Sequence, residues 1–334
     1  MLVPLNTSVL HSLRWLAGAS ANLAGSVAVV WAAGALYFDL PAPLAMRTVA
    51  AVAWFSSATG AWWLVCPHWC SRLAVTLGFL GLLGWWLTLA PQRDRDWKPE
   101  VARLPFATIT GACVTVHNVR NFDYRSETDF TPHYETRHYA LDQLRGLDVI
   151  QTYWGSPFMA HPIISFDFGA QGRIAFSIET RPERGECYSA LAGLYRQFEL
   201  IVIAADERDV VRLRTNYRTG ETSYLYHLTT PPARARSLFL VYLRLINELD
   251  AQPQWYNAIT HNCTTSIRTQ RAVAERAPWD WRMLVNGYAD ELLYDRGGLD
   301  RRLPFAELKR RAYINDRAKA ANDAPDFSAR IRAY

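Results

Sequence analysis

The residue best suited to covalent chemistry is Cys263, which lies in the polar stretch 255–268. Helical spacing begins just after Asn262, so the cysteine is predicted to lie in the first turn of a helix. There the free backbone N–H groups and the helix dipole stabilise a thiolate and lower the thiol pKa from its usual value of about 8.5. The same N–H groups can hold the oxyanion formed when a thiolate attacks a carbonyl. The pattern predicts a nucleophilic cysteine, although a buried structural thiol fits the composition equally well.

A thiol nucleophile needs a base within hydrogen-bonding reach, and His161 is the best candidate among the eight histidines. It opens a predicted strand directly after the glycine-containing turn 154–157, and strand ends hold such a group rigidly. His261 is the second choice because it is close to Cys263 in the sequence. Four further residues are predicted to shape the site or its oxyanion pocket: Asn262, Thr264, Tyr256 and Trp154.

The third member of the predicted site is a carboxylate on the neighbouring strand. The glycine-containing turn 169–172 predicts a hairpin whose first strand carries His161. If the turn is centred on 170–171, Thr180 lies opposite His161 and Glu179 lies beside it. A carboxylate in that place can fix the imidazole tautomer, as an aspartate does in a hydrolase triad. The alternative for Glu179 is an ion pair with a neighbouring arginine.

Neither a metal nor an organic cofactor is predicted. No two histidines or cysteines have the spacing of zinc ligands, and the chain has neither a P-loop nor a dinucleotide-binding glycine fingerprint. The net charge of residues 91–334 is +3, which is too balanced to indicate a nucleic-acid-binding surface. Nucleic acid is therefore excluded from the predicted partners.

The elements that must position these residues fall into two parts of different composition. Of the 67 charged residues among 334, only four precede residue 91. This excludes a wholly soluble cytoplasmic enzyme, because about 25% of an ordinary globular sequence is charged. Three apolar runs are each close to the roughly 20 residues that cross a bilayer. Within residues 1–91 they predict three transmembrane helices, at about 17–37, 45–66 and 73–90.

The alternative for these runs is a buried helical hairpin within a large soluble fold. Arg14 precedes the first run and Arg72 separates the second from the third. Positively charged residues beside a span favour the cytoplasmic side of the membrane, so the start of the first run and the loop between the second and third runs are predicted to face the cytoplasm. The sequence thus predicts a multi-pass protein in which everything after residue 91 lies outside the cytoplasm.

The remainder is predicted to be a polar linker, 92–105, followed by one α+β domain, 106–334. Its size is sufficient for a single core. The predicted strands are 108–121, 147–153, 162–168, 173–179, 199–205, 210–217 and 223–229. The predicted helices are 139–145, 185–196, one from 232 to about 250, and a basic amphipathic tail from 279 onward.

The order of these features resembles a known group of enzymes. A histidine at a strand start, a second strand, and much later an Asn-Cys pair at a helix start resemble the circularly permuted NlpC/P60 papain-like thiol enzymes. More closely, the chain resembles the family of the Lnb N-terminal periplasmic domain, the lipoprotein N-acyltransferase group. The matching stretches are 118–127, 153–156, 177–181, 205–209 and 262–265, and together they cover about residues 110–320.

The resemblance implies a permuted papain-like domain behind a membrane anchor, held in the bacterial inner membrane with the domain in the periplasm. It implies a Cys-His acyltransferase with Cys263 as the nucleophile and His161 as the base, and Glu179 is assigned as the third member. The implied partners are a phospholipid acyl donor, a lipoprotein acceptor and the membrane itself.

Two other functions fit the same catalytic residues. One is an NlpC/P60-like cysteine peptidase or amidase that acts on cell-wall peptide. The other is a non-catalytic periplasmic binding protein that keeps the fold. An apolar groove leading from the membrane to Cys263 would favour the acyltransferase, whereas an open polar cleft would favour the peptidase.

Overall fold

A computed structural model describes residues 7–260 and 278–333 of the chain. Its internal contacts divide the chain into two compact units. The first comprises Met1–Pro91 together with Leu191–Gln197, and the second comprises Gln92–Ala190 together with Phe198–Tyr334.

Three helices form most of the first unit: α1 (Thr7–Asp39), α2 (Leu44–Leu64) and α3 (His68–Thr88). They pack through a small apolar cluster that contains Val29, Ala58, Trp62 and Val75. A Cβ atom added at Gly25 would lie 2.2 Å from the ring of Trp62, so this glycine permits a close approach of α1 and α2. The three apolar runs of the sequence therefore form helices.

Two of the three helices are long and apolar enough to cross a membrane, over His11–Asp39 and His68–Thr88. The α2 helix is not among these candidate spans. It contains Arg47 and a polar group at Ser56, Ser57 and Thr59, which make it less apolar. Three spans remain a prediction, and the structure supports two.

The second unit is built on an eight-stranded sheet, which confirms the α+β class. The strands in the order β1-β2-β9-β8-β7-β6-β10 pair with their neighbours, and β5 pairs with β2. The strand bounds are β1 Phe106–Thr110, β2 Cys113–Arg120, β5 Tyr134–Ala140, β6 Gly146–Trp154, β7 Ser156–Asp167, β8 Arg173–Arg181, β9 Glu199–Ala205 and β10 Thr222–His227. A separate small ribbon pairs β3 (Asp123–Tyr124) with β4 (Phe130–Thr131).

Helices cover both faces of the sheet. The bounds of the helices in the described part of this unit are α4 Glu207–Arg212, α5 Pro232–Ala251, α6 Ala289–Asp295, α7 Phe305–Ala312, α8 Asn315–Ala321 and α9 Phe327–Arg330. On one face, Ile163 packs in a core with residues of α4, α8 and α9. On the other, Phe166 and Phe176 contact Phe239 of α5. We call these the α8 face and the α5 face.

Three predictions of secondary structure are wrong. Residues 139–145 are not a helix, because β5 runs to Ala140 and a short 3₁₀ turn follows at Leu141–Gln143. Residues 185–196 contain only a 3₁₀ turn, Ala192–Leu194. The predicted strand 210–217 is helical, because α4 continues into a π-helical turn at Leu213–Tyr217.

The physical reason for the last error is a helix cap. The carboxylate of Asp206 accepts a hydrogen bond from the backbone N–H of Arg208, which satisfies a free donor at the helix start. This local signal outweighs the β-propensity of the neighbouring valines. The predicted strand 108–121 is also divided, into β1 and β2, by a turn at Gly111 with φ of 61°.

Candidate active site

The candidate base lies on the inner strand β7, on the α8 face of the sheet. His161 is aligned with Thr152 of β6, and two positions further along Ile163 is aligned with Ser177 of β8. Side chains two apart on a strand share a face, so His161, Ser177 and Glu179 lie on the same side. His161 is 7% exposed and Ser177 is fully buried.

A chain of short hydrogen bonds joins these three side chains. The Nε2 atom of His161 is 2.6 Å from the hydroxyl of Ser177. That hydroxyl donates to Oε1 of Glu179 over 2.6 Å. The direct distance between His161 Nε2 and Glu179 Oε1 is 3.5 Å. Glu179 therefore acts on the histidine mainly through Ser177.

This arrangement determines where the neutral imidazole carries its proton. A serine hydroxyl has a single hydrogen, and Ser177 uses it for Glu179. Its oxygen must then accept the Nε2–H of His161, which leaves the Nδ1 atom with its lone pair. In the described part of the chain, Nδ1 has no hydrogen-bonding partner. It is the atom available to act as a base.

Burial and charge keep His161 neutral. Burial, and secondarily the positive charge of Arg214, lower the pKa of His161 to about 3. Burial alone would raise the pKa of Glu179, but Arg214 and then His161 hold it well below its ordinary value. Arg214 lies 3.4 Å from Oε1 of Glu179 and 3.1 Å from Oε2 of Glu221. The site thus pairs an ionised carboxylate with an uncharged imidazole.

The remaining predicted site residues fall in three places. Tyr256 is buried, and its backbone N–H donates to the carbonyl of Phe198, just before β9. Trp154 lies at the end of β6 and lines a cavity there. Asn262, Cys263, Thr264 and the second-choice base His261 lie outside the described residues.

The register of the hairpin corrects one prediction. The turn is centred on Ala170 and not between residues 170 and 171, because Asp167 is aligned with Arg173 and Ile163 with Ser177, and this shifts the pairing by one residue. Continuing that alignment, Glu179 rather than Thr180 falls opposite His161. The shift places Glu179 on the same face as His161, since opposite residues on paired strands share a face. Glu179 does form an ion pair, but its partner is Arg214 and not an arginine that is close to it in the sequence.

Two residues of the site were not predicted. Ser177 is two positions before Glu179 on the same strand, so strand alternation alone would have placed it on the same face. Arg214 lies in the helical segment that was predicted as a strand. Among the residues that the structure describes, no cluster of three or more histidine, cysteine or acidic side chains is suited to a metal ion.

Apolar side chains are exposed next to His161. Phe158 and Met159, which shortly precede it on β7, are 53% and 38% exposed. The ring of Phe158 is 5.9 Å from that of Tyr288, which in turn is 5.3 Å from that of Trp281. We call Phe158, Met159, Tyr288, Trp281 and the exposed Leu284 the apolar patch. Phe158 and Met159 place it beside the first residues of β7, which lead to His161.

The comparison with protein families identifies this region. The model of the Lnb N-terminal periplasmic domain matches residues 130–287. These residues belong to the Lnb N-terminal periplasmic domain family. The predicted family is therefore confirmed, and the matched range contains every predicted site residue, from Trp154 to Thr264.

The family name and the helical unit together indicate where the Lnb-type domain works. Its description as periplasmic agrees with a membrane protein whose C-terminal domain is periplasmic, behind two apolar helices. No curated protein and no solved structure matches the chain. The wider placement among NlpC/P60 papain-like enzymes stays a prediction.

Proposed function

We propose that this protein is a membrane-anchored thiol acyltransferase that moves an acyl chain from a phospholipid to the N-terminus of a lipoprotein. The observation that carries the proposal is the relay Glu179–Ser177–His161, which leaves Nδ1 of a neutral imidazole free to accept a proton. A base of this kind activates a thiol nucleophile. Cys263 is the proposed nucleophile.

The first half-reaction forms a thioester. Nδ1 of His161 takes the thiol proton of Cys263 as the sulfur attacks the ester carbonyl of the lipid, and a tetrahedral oxyanion forms. The carbon–oxygen bond of the ester then breaks. The imidazolium returns its proton to the departing alkoxide, which leaves as a lysophospholipid.

The second half-reaction transfers the acyl chain. The amino group of the acceptor attacks the thioester carbonyl and gives a proton to His161. The carbon–sulfur bond breaks, and the thiolate recovers a proton from the imidazolium. Glu179 stays ionised throughout and stabilises the imidazolium through Ser177.

The covalent length of the chain allows Cys263 to reach His161. Tyr256 is bonded beside the start of β9, and β9 is two strands from β7, or about 10 Å. The seven residues from Tyr256 to Cys263 extend to at most about 25 Å. On the other side, Asn286 accepts a hydrogen bond from the backbone N–H of Ala160, next to His161. Both flanks are thus held at the end of the sheet that carries the base.

The apolar patch supports a lipid substrate over a cell-wall peptide. Exposed aromatic and aliphatic side chains favour contact with acyl chains and with the headgroup zone of a bilayer. We therefore infer an inner-membrane location, with α2 as a third span beside the two candidate spans. Hydrolysis of cell-wall peptide by the same Cys-His pair is the second candidate.

The test is intact-protein mass spectrometry of the full chain in detergent, incubated with a diacyl phospholipid. We expect a mass gain of one acyl group that hydroxylamine removes and that Cys263→Ala abolishes. Four other cysteines are free and exposed: Cys66, Cys70, Cys113 and Cys187. Cys113→Ala is therefore the matched control and should acquire the acyl group like the wild type.

Each contrary outcome has its own meaning. A thiol at Cys263 that reacts with an alkylating probe but never gains an acyl group would reject the lipid donor and favour the peptidase. A thiol inert to both reagents would favour a binding protein. A gain that persists in Cys263→Ala would place the acyl group elsewhere and overturn the assignment of the nucleophile.

A further inference from the structure

A cavity of about 710 Å³ lies on the side of the sheet away from His161. Tyr153 lines it, and since His161 is aligned with Thr152, strand alternation places Tyr153 on the opposite, α5 face. The cavity is bounded by the β6–β7 turn, the start of β10, and the helices α6 and α7. Its volume falls within the range of about 300–1,000 Å³ that is typical of small-molecule sites.

One wall of this cavity is fixed by a buried carboxylate. Asp290 is 2% exposed, and its Oδ2 atom accepts hydrogen bonds from Tyr153 and Tyr226, each over 2.8 Å. The ammonium of Lys309 lies 2.9 Å from the same oxygen and 2.9 Å from the hydroxyl of Tyr153. These bonds hold Tyr153 and Lys309 in one orientation before any ligand binds.

Aromatic rings form much of the remaining surface. Lys309 lies over the ring of Tyr153, 4.5 Å from its centre, and 5.3 Å from that of Tyr224. Trp154 and Phe305 add two further rings to the lining. Tyr288, which is also part of the apolar patch, adds another ring. The rest of the lining consists of Pro157, the hydroxyls of Ser156 and Thr222, and the backbone at Gly155, Gly220 and Gly287.

The charged groups of the cavity are one ion pair and one further carboxylate. Lys309 and Asp290 cancel, and Glu291 is the remaining charged group of the lining. Its carboxylate makes no hydrogen bond or ion pair with the described part of the chain. Two N–H groups of Lys309 point to Asp290 and Tyr153, so a third can serve a ligand. The net charge of the lining is therefore that of Glu291, which disfavours an anion, and both Glu291 and Lys309 can hydrogen-bond a polar ligand.

We propose that this cavity binds a neutral carbohydrate. Sugar hydroxyls donate and accept, so one ligand can satisfy both Glu291 and the third N–H of Lys309. The apolar faces of a sugar ring pack against aromatic side chains such as Trp154. Tyr153, Asp290 and Lys309 lie on the face opposite His161, although Trp154 and Tyr288 are shared with the surroundings of the candidate active site. The proposal uses neither Cys263 nor His161.

The experiment is isothermal titration of the full chain in detergent with two neutral trisaccharides, chitotriose and maltotriose. We expect at least one to bind saturably, and Glu291→Gln to weaken that binding about tenfold, because it removes a hydrogen bond to a charged group. Trp154→Ala should weaken it by a similar factor. The matched control is Glu307→Gln on α7, whose carboxylate pairs with Arg310 and Arg311 instead of lining the cavity.

Thermal unfolding shows whether each variant is folded. Because two lining residues are changed separately, the test still works if one of the two variants does not fold. If neither trisaccharide bound saturably, the proposal would be overturned. It would also be overturned if Glu291→Gln and Trp154→Ala bound the sugar as tightly as the control Glu307→Gln. Phosphoethanolamine serves as a zwitterionic probe. If it bound more tightly than both trisaccharides, the ligand would be a charged headgroup and the carbohydrate proposal would be wrong. Cys263→Ala should bind sugar like the wild type, which separates this test from that of the transferase.

Discussion

The hydroxyl of Ser177 determines the proton arrangement of the candidate site. It accepts from His161 and donates to Glu179, each over 2.6 Å, while the carboxylate itself is 3.5 Å from the imidazole. Because the serine has only one hydrogen, its donation to Glu179 forces the Nε2–H tautomer of His161. Ser177 is thus a positioning residue, and it touches no substrate in the proposed reaction.

Replacement of Ser177 should slow the chemical step. Ser177→Ala removes the acceptor for Nε2–H, so the imidazole loses the contact that fixes its orientation and leaves Nδ1 free. We expect kcat for acyl transfer to fall about 100-fold with KM unchanged, which matches the usual contribution of an oriented base. Rates of thioester formation measured by mass spectrometry provide the test.

Ser177→Thr is the conservative control, because it keeps the hydroxyl on the same Cβ atom. It should recover most of the lost rate. If Ser177→Ala raised KM as much as it lowered kcat, or if threonine gave no recovery, Ser177 would have only a packing role.

Acid should destabilise the fold through His161. Burial, then Arg214, lower its folded pKa to about 3, whereas an unfolded chain protonates it near 6.5. The unfolded state therefore binds the extra proton, and the free energy of unfolding should fall as pH decreases from 6.5 towards 3. Glu179, whose pKa is lowered from 4.5, adds a loss only below about pH 4.5.

The interval from pH 6.5 to 4.5 isolates the histidine. Over it the wild type should lose up to about 2.5 kcal/mol more than His161→Asn does. The measurement is thermal or denaturant unfolding of the full chain in detergent across this interval. Parallel stability curves for the two proteins would contradict the prediction.

At the scale of elements, one close contact fixes the segment around the 3₁₀ turn Asn286–Tyr288 against β7. The 3₁₀ turn Asn286–Tyr288 packs against the β6–β7 turn so tightly that a Cβ atom at Gly287 would lie 2.2 Å from the carbonyl oxygen of Pro157. The neighbouring Asn286 also accepts the backbone N–H of Ala160. The contact therefore holds this segment next to His161.

A methyl group at this contact should separate the two segments. We expect Gly287→Ala to lower the free energy of unfolding by about 1–3 kcal/mol, because both contacting atoms belong to backbone that has little room to move. The control is Gly146→Ala in β6, where an added Cβ meets nothing within 4 Å. That change should stay within about 0.5 kcal/mol. If Gly287→Ala and Gly146→Ala had equal effects in denaturant unfolding, the backbone at this contact would be able to move aside at little cost.

The hairpin shows how far sequence reasoning reaches among the elements. Strand alternation and the glycines of 169–172 correctly predicted β7 and β8 and brought His161 near Glu179. The register was off by one residue because Phe168 donates to the carbonyl of Gly172, which centres the turn on Ala170. A glycine-rich turn predicts a hairpin better than it predicts which of its residues close the loop.

Contacts between distant parts of the chain could not be predicted from the sequence, for a different reason. Arg214 joins Glu179 only after α4 and its π-helical turn fold against the α8 face, and its local sequence favoured a strand. The tail from residue 279 was correctly predicted as helical. Its packing in the core through Ile314 and Phe327 depends on the complete sheet, which no local pattern encodes.

At the scale of the whole molecule, the end of the chain closes the α8 face through a buried charge network. Arg332 lies 2.8 Å from Asp148 of β6 and bonds Glu207 of α4 through both terminal nitrogens. The side chain of Glu207 is fully buried and that of Asp148 is 5% exposed. Asp148 also has Arg173 as a partner, whereas Glu207 otherwise bonds only Ser165 in the described residues.

Removal of this cation should therefore destabilise the whole sheet domain. Arg332→Met leaves the carboxylate of Glu207 buried without its ion-pair partner, and we expect a loss of about 3–5 kcal/mol in the free energy of unfolding. The matched control is Arg330→Met, two residues earlier, which removes an exposed 2.7 Å pair with Asp326 and should cost less than about 1 kcal/mol. Denaturant unfolding in detergent compares the two. Adding Glu207→Gln to Arg332→Met should restore part of the lost stability, because the unpaired carboxylate is then gone. Equal stability of Arg332→Met and Arg330→Met would show that the network does not hold the domain together.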